Sequence, residues 1–153
     1  MRARELAEPF PTVAIDTDAM EAAQEMARQR LPGLIVCNRD GRPYTILPGS
    51  QVLRFLIPAY VQEEPALARA FGEKASDDMA NKLGKSSVGD LLPKRRHVDE
   101  LPIVDGDATT IEVAAVMARM RSPLVAVVEH GQVLGAITVS RLLNHLLPDT
   151  PRP

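Results

Sequence analysis

The chain has 153 residues, of which 45% are apolar, 3% aromatic and 25% charged, with a formal net charge of −2. This balance excludes a non-specific nucleic-acid binder, which needs a basic surface to neutralise phosphates. No apolar run approaches the roughly 20 residues of a membrane span, and the N-terminus lacks the apolar run of a signal peptide. The single cysteine, Cys37, fits a reducing compartment. We therefore expect a cytoplasmic protein with an aliphatic core and no membrane insertion.

Residues 1–57 predict a strand–helix–strand–strand–helix unit. Asp18 and Glu21 have the spacing of a capping box, which starts a helix. In that helix, Met20, Ala23 and Ala27 recur at helical spacing and predict the face that packs on the core. Short runs of β-branched and apolar residues predict buried strands. The strands and the second helix are expected at Thr12–Ile15, Gly33–Cys37, Pro43–Leu47 and Ser50–Leu56.

Residues 58–92 predict a helical insert rather than a flexible linker. Pro65 favours the first turn of a short helix that carries Leu67 and Phe71. Ser76 is the predicted N-cap of a second helix, which ends at Gly84.

Residues 93–148 predict the same unit again, followed by a C-terminal tail at 149–153. Thr109 and Glu112 repeat the capping-box spacing. The apolar positions of the first helix recur as Ile111, Ala114 and Ala118. The strands and the second helix are expected at Pro102–Val104, Leu124–Val128, Gln132–Ile137 and Val139–Leu147.

The two units are related in sequence as well as in pattern. At an offset of 91 residues, Asp18–Pro32 aligns with Thr109–Pro123 and shares the tripeptide Met-Ala-Arg. A turn shorter by one residue then changes the offset to 90, so that Ser50 aligns with Ser140. An internal duplication of this kind predicts two α/β (α+β) repeats.

The second unit contains the stretch SPLVAVVEHGQVLGAITVSRLL, in which a proline, an apolar strand and a glycine turn precede Gly-apolar-apolar-Thr. Together with the tandem β-α-β-β-α pattern, it resembles a pair of CBS domains (cystathionine β-synthase domains), a Bateman-type module. The resemblance implies that the two repeats pack as a pseudo-symmetric pair. It also implies a homodimer and a stand-alone regulatory role. In that role an adenosine ligand such as AMP, ADP, ATP or S-adenosylmethionine controls a separate enzyme or transporter.

The resemblance also implies where the ligand binds. In the family, Gly-x-x-Thr-x-x-Asp places a hydroxyl near the ribose or phosphate and a carboxylate at the ribose hydroxyls. Gly135 and Thr138 match, but Arg141 replaces the carboxylate and cannot accept a hydrogen bond, although it can bind a phosphate. Thr138 has the alternative interpretation of a simple helix cap. The predicted site of the second repeat comprises Ile103, Val104, Leu124, Val125, Thr138, Val139, Ser140 and Arg141.

The first repeat departs further from the family pattern, since Pro48 and Gln51 stand at the Thr and Asp positions. A second, degenerate site is predicted there, formed by Val13, Ala14, Leu34, Ile35, Ser50 and Gln51. These departures leave open an alternative function, a ligand-free dimerisation or partner-docking module with degenerate nucleotide pockets.

Catalytic patterns are missing from the sequence. It has no nucleophile beside a base, no carboxylate pair at telling spacing and no glycine-rich phosphate loop. Its histidines, His97, His130 and His145, share no metal-ligand spacing. We therefore predict that the protein is not an enzyme, binds no metal and requires no cofactor. The basic run Lys94–Arg96 is interpreted as a solvated loop, with phosphate contact as the alternative.

Overall fold

The computed structural model describes residues 1–93 and 101–149, and this part of the chain forms two three-stranded sheets flanked by helices. In each sheet the central strand pairs in parallel with the first strand and antiparallel with the third. The predicted pair of α/β repeats is confirmed, with every strand end within one residue of its expected position. The strands are β1 (Thr12–Ala14), β2 (Gly33–Cys37), β3 (Pro43–Pro48), β4 (Ile103–Asp105), β5 (Leu124–Glu129) and β6 (Gln132–Thr138).

Helices cover the sheets and form the insert between the repeats. Within the described residues they are α1 (Ala3–Leu6), α2 (Ala19–Arg28), α3 (Gly49–Leu56), α4 (Ala59–Glu63), α5 (Lys74–Gly84), α6 (Val88–Leu91), α7 (Thr110–Met120) and α8 (Val139–Leu146). Pro65 opens a 3₁₀-helix, Pro65–Ala70, as the sequence predicts. None of the helices in these two described ranges has the length and hydrophobicity that crossing a membrane requires.

The two capping-box predictions have different outcomes. Thr109 Oγ1 accepts a hydrogen bond from the Glu112 amide at 3.2 Å, and the Glu112 carboxylate accepts one from the Thr109 amide at 3.3 Å. The prediction for α7 is confirmed. For α2 it is wrong, because the Asp18 side chain makes no cap hydrogen bond. There the first helical amide, that of Ala19, donates to the carbonyl of Ser86 in the insert.

The core-facing sides of α2 and α7 differ in part from the prediction. The buried residues are Ala19, Ala22 and Met26 in α2 and Val113 and Met117 in α7. Of the predicted stripes, Met20, Ala23 and Ala114 are partly buried and pack against the cores, whereas Ala27 and Ala118 are exposed and Ile111 is 67% exposed. Both helices carry two apolar stripes, and periodicity alone does not show which of them faces the sheet.

Each repeat is completed by a short helix from another part of the chain. Ala3 and Leu6 of α1 belong to the core of the second repeat, and the Ala3 amide donates to the Ala108 carbonyl at 2.8 Å. Conversely, Val88 and Leu91 of α6 belong to the core of the first repeat. This exchange of helices ties the two repeats together.

The insert packs on the first repeat through α5, which contacts α2 and α3. Leu83 is buried there, and the helix ends at Gly84 as predicted. The predicted start after Ser76 is wrong. The helix begins at Lys74, because the Ser76 amide already donates to the carbonyl of Glu73.

The two sheets pack face to face through a shared apolar layer. This layer contains Ile35, Cys37, Ile46, Leu124, Ala126 and Ala136. All five residues of β2 are buried, as a strand covered on both faces should be. The end of β3 and the start of α3 are thereby brought close to the end of α7 and the start of β5.

Candidate ligand site between the two repeats

An open cleft lies at the boundary between the repeats, where the β3–α3 junction faces the α7–β5 junction. Its volume is about 790 Å³, and it adjoins a smaller cavity of about 170 Å³. Both are lined by Pro48, Gln51, Met120, Arg121 and Ser122. The larger one is also lined by Ser50, Arg54 and Val139, and no acidic residue is among the described residues that line either.

The first turn of α3 borders this cleft. Its N-cap residue is Pro48, which makes no side-chain cap hydrogen bond, so no cap satisfies the amides of Ser50 and Gln51. The Gly49 amide is already used, because it donates to the Pro32 carbonyl at 3.0 Å. A helix N-terminus with unsatisfied amides attracts negative charge.

Gln51 connects the cleft to the exchanged helix α6. Its Nε2 donates a hydrogen bond to the carbonyl oxygen of Leu91 at 3.0 Å. The side chain is half-buried, and its amide oxygen is the acceptor that this position offers to a ligand.

The equivalent residues of the second repeat form hydrogen bonds and ion pairs with other parts of the protein. Thr138 Oγ1 accepts a hydrogen bond from the Arg141 amide at 3.2 Å and lies 3.2 Å from the Ser140 hydroxyl, so Thr138 is the N-cap of α8. Arg141 Nε donates to the Leu6 carbonyl at 3.2 Å and lies 3.3 Å from a carboxylate oxygen of Glu8.

The chain segment after α1 covers the junction between β6 and α8. The amide and the carbonyl of Glu8 both bond to Ala136, each at 2.9 Å. A Cβ on Gly135 would lie 2.2 Å from the Glu8 carbonyl oxygen, so glycine permits this approach. In the first repeat, Pro93 follows α6 as Glu8 follows α1, and proline has no amide hydrogen for such a bridge. The smaller cavity lies beside Pro93.

The CBS domain model matches residues 3–56 and 88–148 of this chain. The chain belongs to the CBS domain family. No curated protein matches the sequence, but solved structures do. A CBS domain-containing protein of unknown function from Kribbella flavida DSM 17836 is 51% identical, with a TM-score of 0.79 over 95% of this chain and 98% of its own.

Two more distant structures share the fold. The CBS domain of a CBS domain-containing membrane protein from Sphaerobacter thermophilus is 22% identical, with a TM-score of 0.71 over 96% of this chain and 88% of its own. CBSX2, solved in complex with AMP, is 14% identical, with a TM-score of 0.64 over 94% of both chains.

Three of the predicted site residues line the cleft of this CBS pair, namely Ser50, Gln51 and Val139. Leu34, Ile35, Leu124 and Val125 have no exposed surface and belong to the core. Ile103 and Val104 border a separate shallow cavity. The other predicted residues, Val13, Ala14, Thr138, Ser140 and Arg141, are not among those that line the cleft.

Sequence reasoning missed the two arginines of the cleft, Arg54 and Arg121. The backbone of Arg121 is left-handed, with φ at 51°, and its equivalent Arg30 has φ at 55°. Glycine is the usual residue at such a position after a helix. The alignment of the CBS repeats contained a signal for Arg121, because each repeat has an arginine two residues before a proline. These are Arg30 before Pro32 and Arg121 before Pro123.

No carboxylate in the described part of the chain pairs with the arginines of the cleft. Within residues 1–93 and 101–149, neither Arg54 nor Arg121 has an ion-pair partner. The same part of the chain contains no group of His, Cys, Asp and Glu side chains that could hold a metal ion. The basic run Lys94–Arg96 and His97 lie outside the described residues.

Proposed function

We propose that this CBS pair is a regulatory module that binds an adenine nucleotide or a related adenosyl or anionic ligand in the cleft between its repeats. The observation that supports this proposal most directly is the cleft of about 790 Å³, in which Arg54 and Arg121 are the charged residues among the described lining. Its volume is in the range of small-molecule sites, about 300–1,000 Å³. A similar fold, that of CBSX2, was solved in complex with AMP, which supports this ligand class.

Regulation follows from the position of the cleft. Residues of both repeats line it, so a ligand that contacts both walls favours the arrangement of the repeats in which those contacts are made. A separate protein, such as an enzyme or a transporter, then responds to that arrangement. On this proposal the CBS pair has no catalytic role.

The first-repeat side of the cleft is the proposed binding position. Ser50 and Gln51 border open space there, whereas Thr138 and Arg141 are already bonded within the protein. We propose a cytoplasmic setting, in which the buried free thiol of Cys37 stays reduced.

Thermal unfolding with AMP, ADP, ATP, S-adenosylmethionine and inorganic phosphate tests this function. A ligand at 100 times its Kd adds about 2.7 kcal/mol to the free energy of unfolding, which raises the Tm by several degrees. We expect at least one adenine compound to do so. Ser50→Tyr should abolish the shift by filling the cleft, and Asn144→Tyr, at an exposed position on α8, should not. No shift at millimolar concentration, or an equal shift in Ser50→Tyr, would reject the proposal.

A second candidate function, dimerisation without a ligand, is favoured by exposed apolar residues on the outer helices. Leu53 on α3 and its equivalent Leu143 on α8 are 60% and 46% exposed, and Ile111 on α7 is 67% exposed. Because equivalent positions of both repeats contribute, the face is pseudo-symmetric and suits a second copy of the chain. Sedimentation velocity should show a dimer that Leu53→Glu dissociates and Leu134→Glu, on β6, does not. A monomeric wild-type protein would eliminate this candidate.

A further inference from the structure

The arginines of the cleft come from different repeats. Arg54 lies one turn after Ser50 on α3 of the first repeat, and Arg121 follows α7 of the second. Both line the larger cavity, and both are exposed. A guanidinium group binds phosphate oxygens through parallel hydrogen bonds. Two of them on separate elements, with no acidic residue among the cleft's described lining, favour a ligand whose negative charge is spread over more than one group.

The same cleft offers few groups that could recognise a sugar. A carboxylate, which presents paired acceptors to a ribose diol, is missing from the described lining of the cleft. Pro48 supplies no hydroxyl, and the Gln51 amide nitrogen already donates to Leu91, which leaves the Gln51 amide oxygen and the Ser50 hydroxyl as single acceptors. The described lining is therefore better equipped for phosphates than for a ribose diol.

The backbone at Arg121 provides a way to test its role. A left-handed conformation is unfavourable for a side chain other than glycine. At this position the protein carries a cation that lines the cleft, where glycine would suit the backbone better. The equivalent Arg30 has the same backbone conformation but lines an apolar groove between α2 and α3. It therefore provides a matched control.

Resting on the proposed function, we propose that the cleft selects its ligand by the phosphate chain. The ligand carries two or more linked phosphates held between Arg54 and Arg121, and the nucleoside contributes little to affinity. A nucleoside triphosphate and an inorganic oligophosphate share this chemistry, and the experiment distinguishes them.

Isothermal titration calorimetry with adenosine, AMP, ADP, ATP and inorganic tripolyphosphate tests this selection. We expect ATP to bind at least tenfold more tightly than AMP, adenosine not to bind, and tripolyphosphate to compete with ATP. Equal binding of ATP and tripolyphosphate would support selection by the phosphate chain alone. Much tighter binding of ATP would identify the nucleotide as the ligand and would overturn the minor role that the proposal gives to the nucleoside. AMP or adenosine binding as tightly as ATP would overturn selection by the phosphate chain while leaving the proposed function intact, and no binding of any compound would overturn both.

Three variants test whether the two arginines of the cleft are responsible for this ligand preference. Arg54→Gln and Arg121→Gly should each weaken ATP binding at least tenfold. Arg121→Gly should leave the Tm at or above the wild-type value, because glycine suits the left-handed backbone. Arg30→Gly should have the same effect on the Tm and leave ATP binding unchanged. Wild-type affinity for ATP in Arg121→Gly, or an equal loss in Arg30→Gly, would overturn the assignment.

Discussion

The side-chain amide of Gln51 donates a hydrogen bond to the carbonyl oxygen of Leu91 at 3.0 Å, across 40 residues of sequence. Arg141, at the equivalent position of the second repeat, makes the same contact with the Leu6 carbonyl at 3.2 Å. Each side chain thereby fixes the end of the short helix that completes its repeat. The position after the β–α junction has a structural role in both repeats, served by two different chemical groups.

Replacement of Gln51 by methionine tests that role. The variant keeps the length of the side chain but leaves the Leu91 carbonyl without its donor, so we expect the free energy of unfolding to fall by about 1 kcal/mol. Urea denaturation measures the change. Gln24→Met, at an exposed position on α2, should leave stability unchanged. Equal stabilities of Gln51→Met and wild type would show that the hydrogen bond adds nothing.

Thr138→Ala should destabilise the protein even without a ligand. The hydroxyl accepts a hydrogen bond from the Arg141 amide, and loss of an N-cap costs about 1 kcal/mol. For a chain of this size, the Tm should fall by about 2–4 °C. Thr138→Ser keeps the hydroxyl and should retain most of the stability. A Tm unchanged in the alanine variant would contradict the cap.

Gly135→Ala should detach the segment after α1 from β6. The new Cβ would lie 2.2 Å from the Glu8 carbonyl oxygen, so the backbone has to move and the paired hydrogen bonds to Ala136 are lost. We expect a lower Tm and faster hydrogen exchange at the Ala136 amide. Gly72→Ala, where a Cβ has nothing within 4 Å, is the control. Unchanged exchange at Ala136 would argue against the close approach.

The thiol of Cys37 should react slowly with thiol reagents. It should also make the free energy of unfolding depend on pH in the alkaline range. Burial raises its pKa, and the negative charge of Asp40 raises it further. The folded chain therefore holds the thiol proton more tightly than the unfolded chain, so this stabilisation is complete below the ordinary thiol pKa of about 8.5. It is lost as pH rises from there through the folded-state pKa.

The difference in unfolding free energy between wild type and Cys37→Ala, measured from pH 7 to pH 10, isolates this contribution from other titrating groups. The wild-type advantage should shrink above pH 8.5. A thiol reagent should label the native protein more slowly than the urea-unfolded chain. Equal labelling rates would show that the thiol is accessible.

The duplication and the strands were predictable because their signals are local. Unbroken apolar runs such as Gly33–Cys37 indicate a strand covered on both faces, and the structure buries all five of its residues. The face of α7 was not predictable in this way, since Ile111 and Val113 both lie on apolar stripes. Only the position of the sheet decides that Val113 is buried and Ile111 exposed.

The cleft was only partly predictable for a different reason. Ser50 and Gln51 were found through the alignment with the family motif, whereas Arg121 lies in the other repeat and reaches the cleft through packing. The β6–α8 junction at Thr138 is covered by the segment that contains Glu8. That segment follows α1, a four-residue helix that is too short to show a periodic pattern in the sequence. Contacts between distant parts of the chain leave no pattern in a single stretch of sequence.

The exchange of α1 and α6 has a consequence for the order in which the protein can fold during synthesis. The first repeat lacks part of its core until α6 has been made, and α1, made first of all, finds its place only on the last repeat to be completed. Arg2 and its partner Asp107 are 105 residues apart, and such long-range contacts slow folding. The first repeat can therefore close only after α6 has left the ribosome, and the second repeat only after almost the entire chain has.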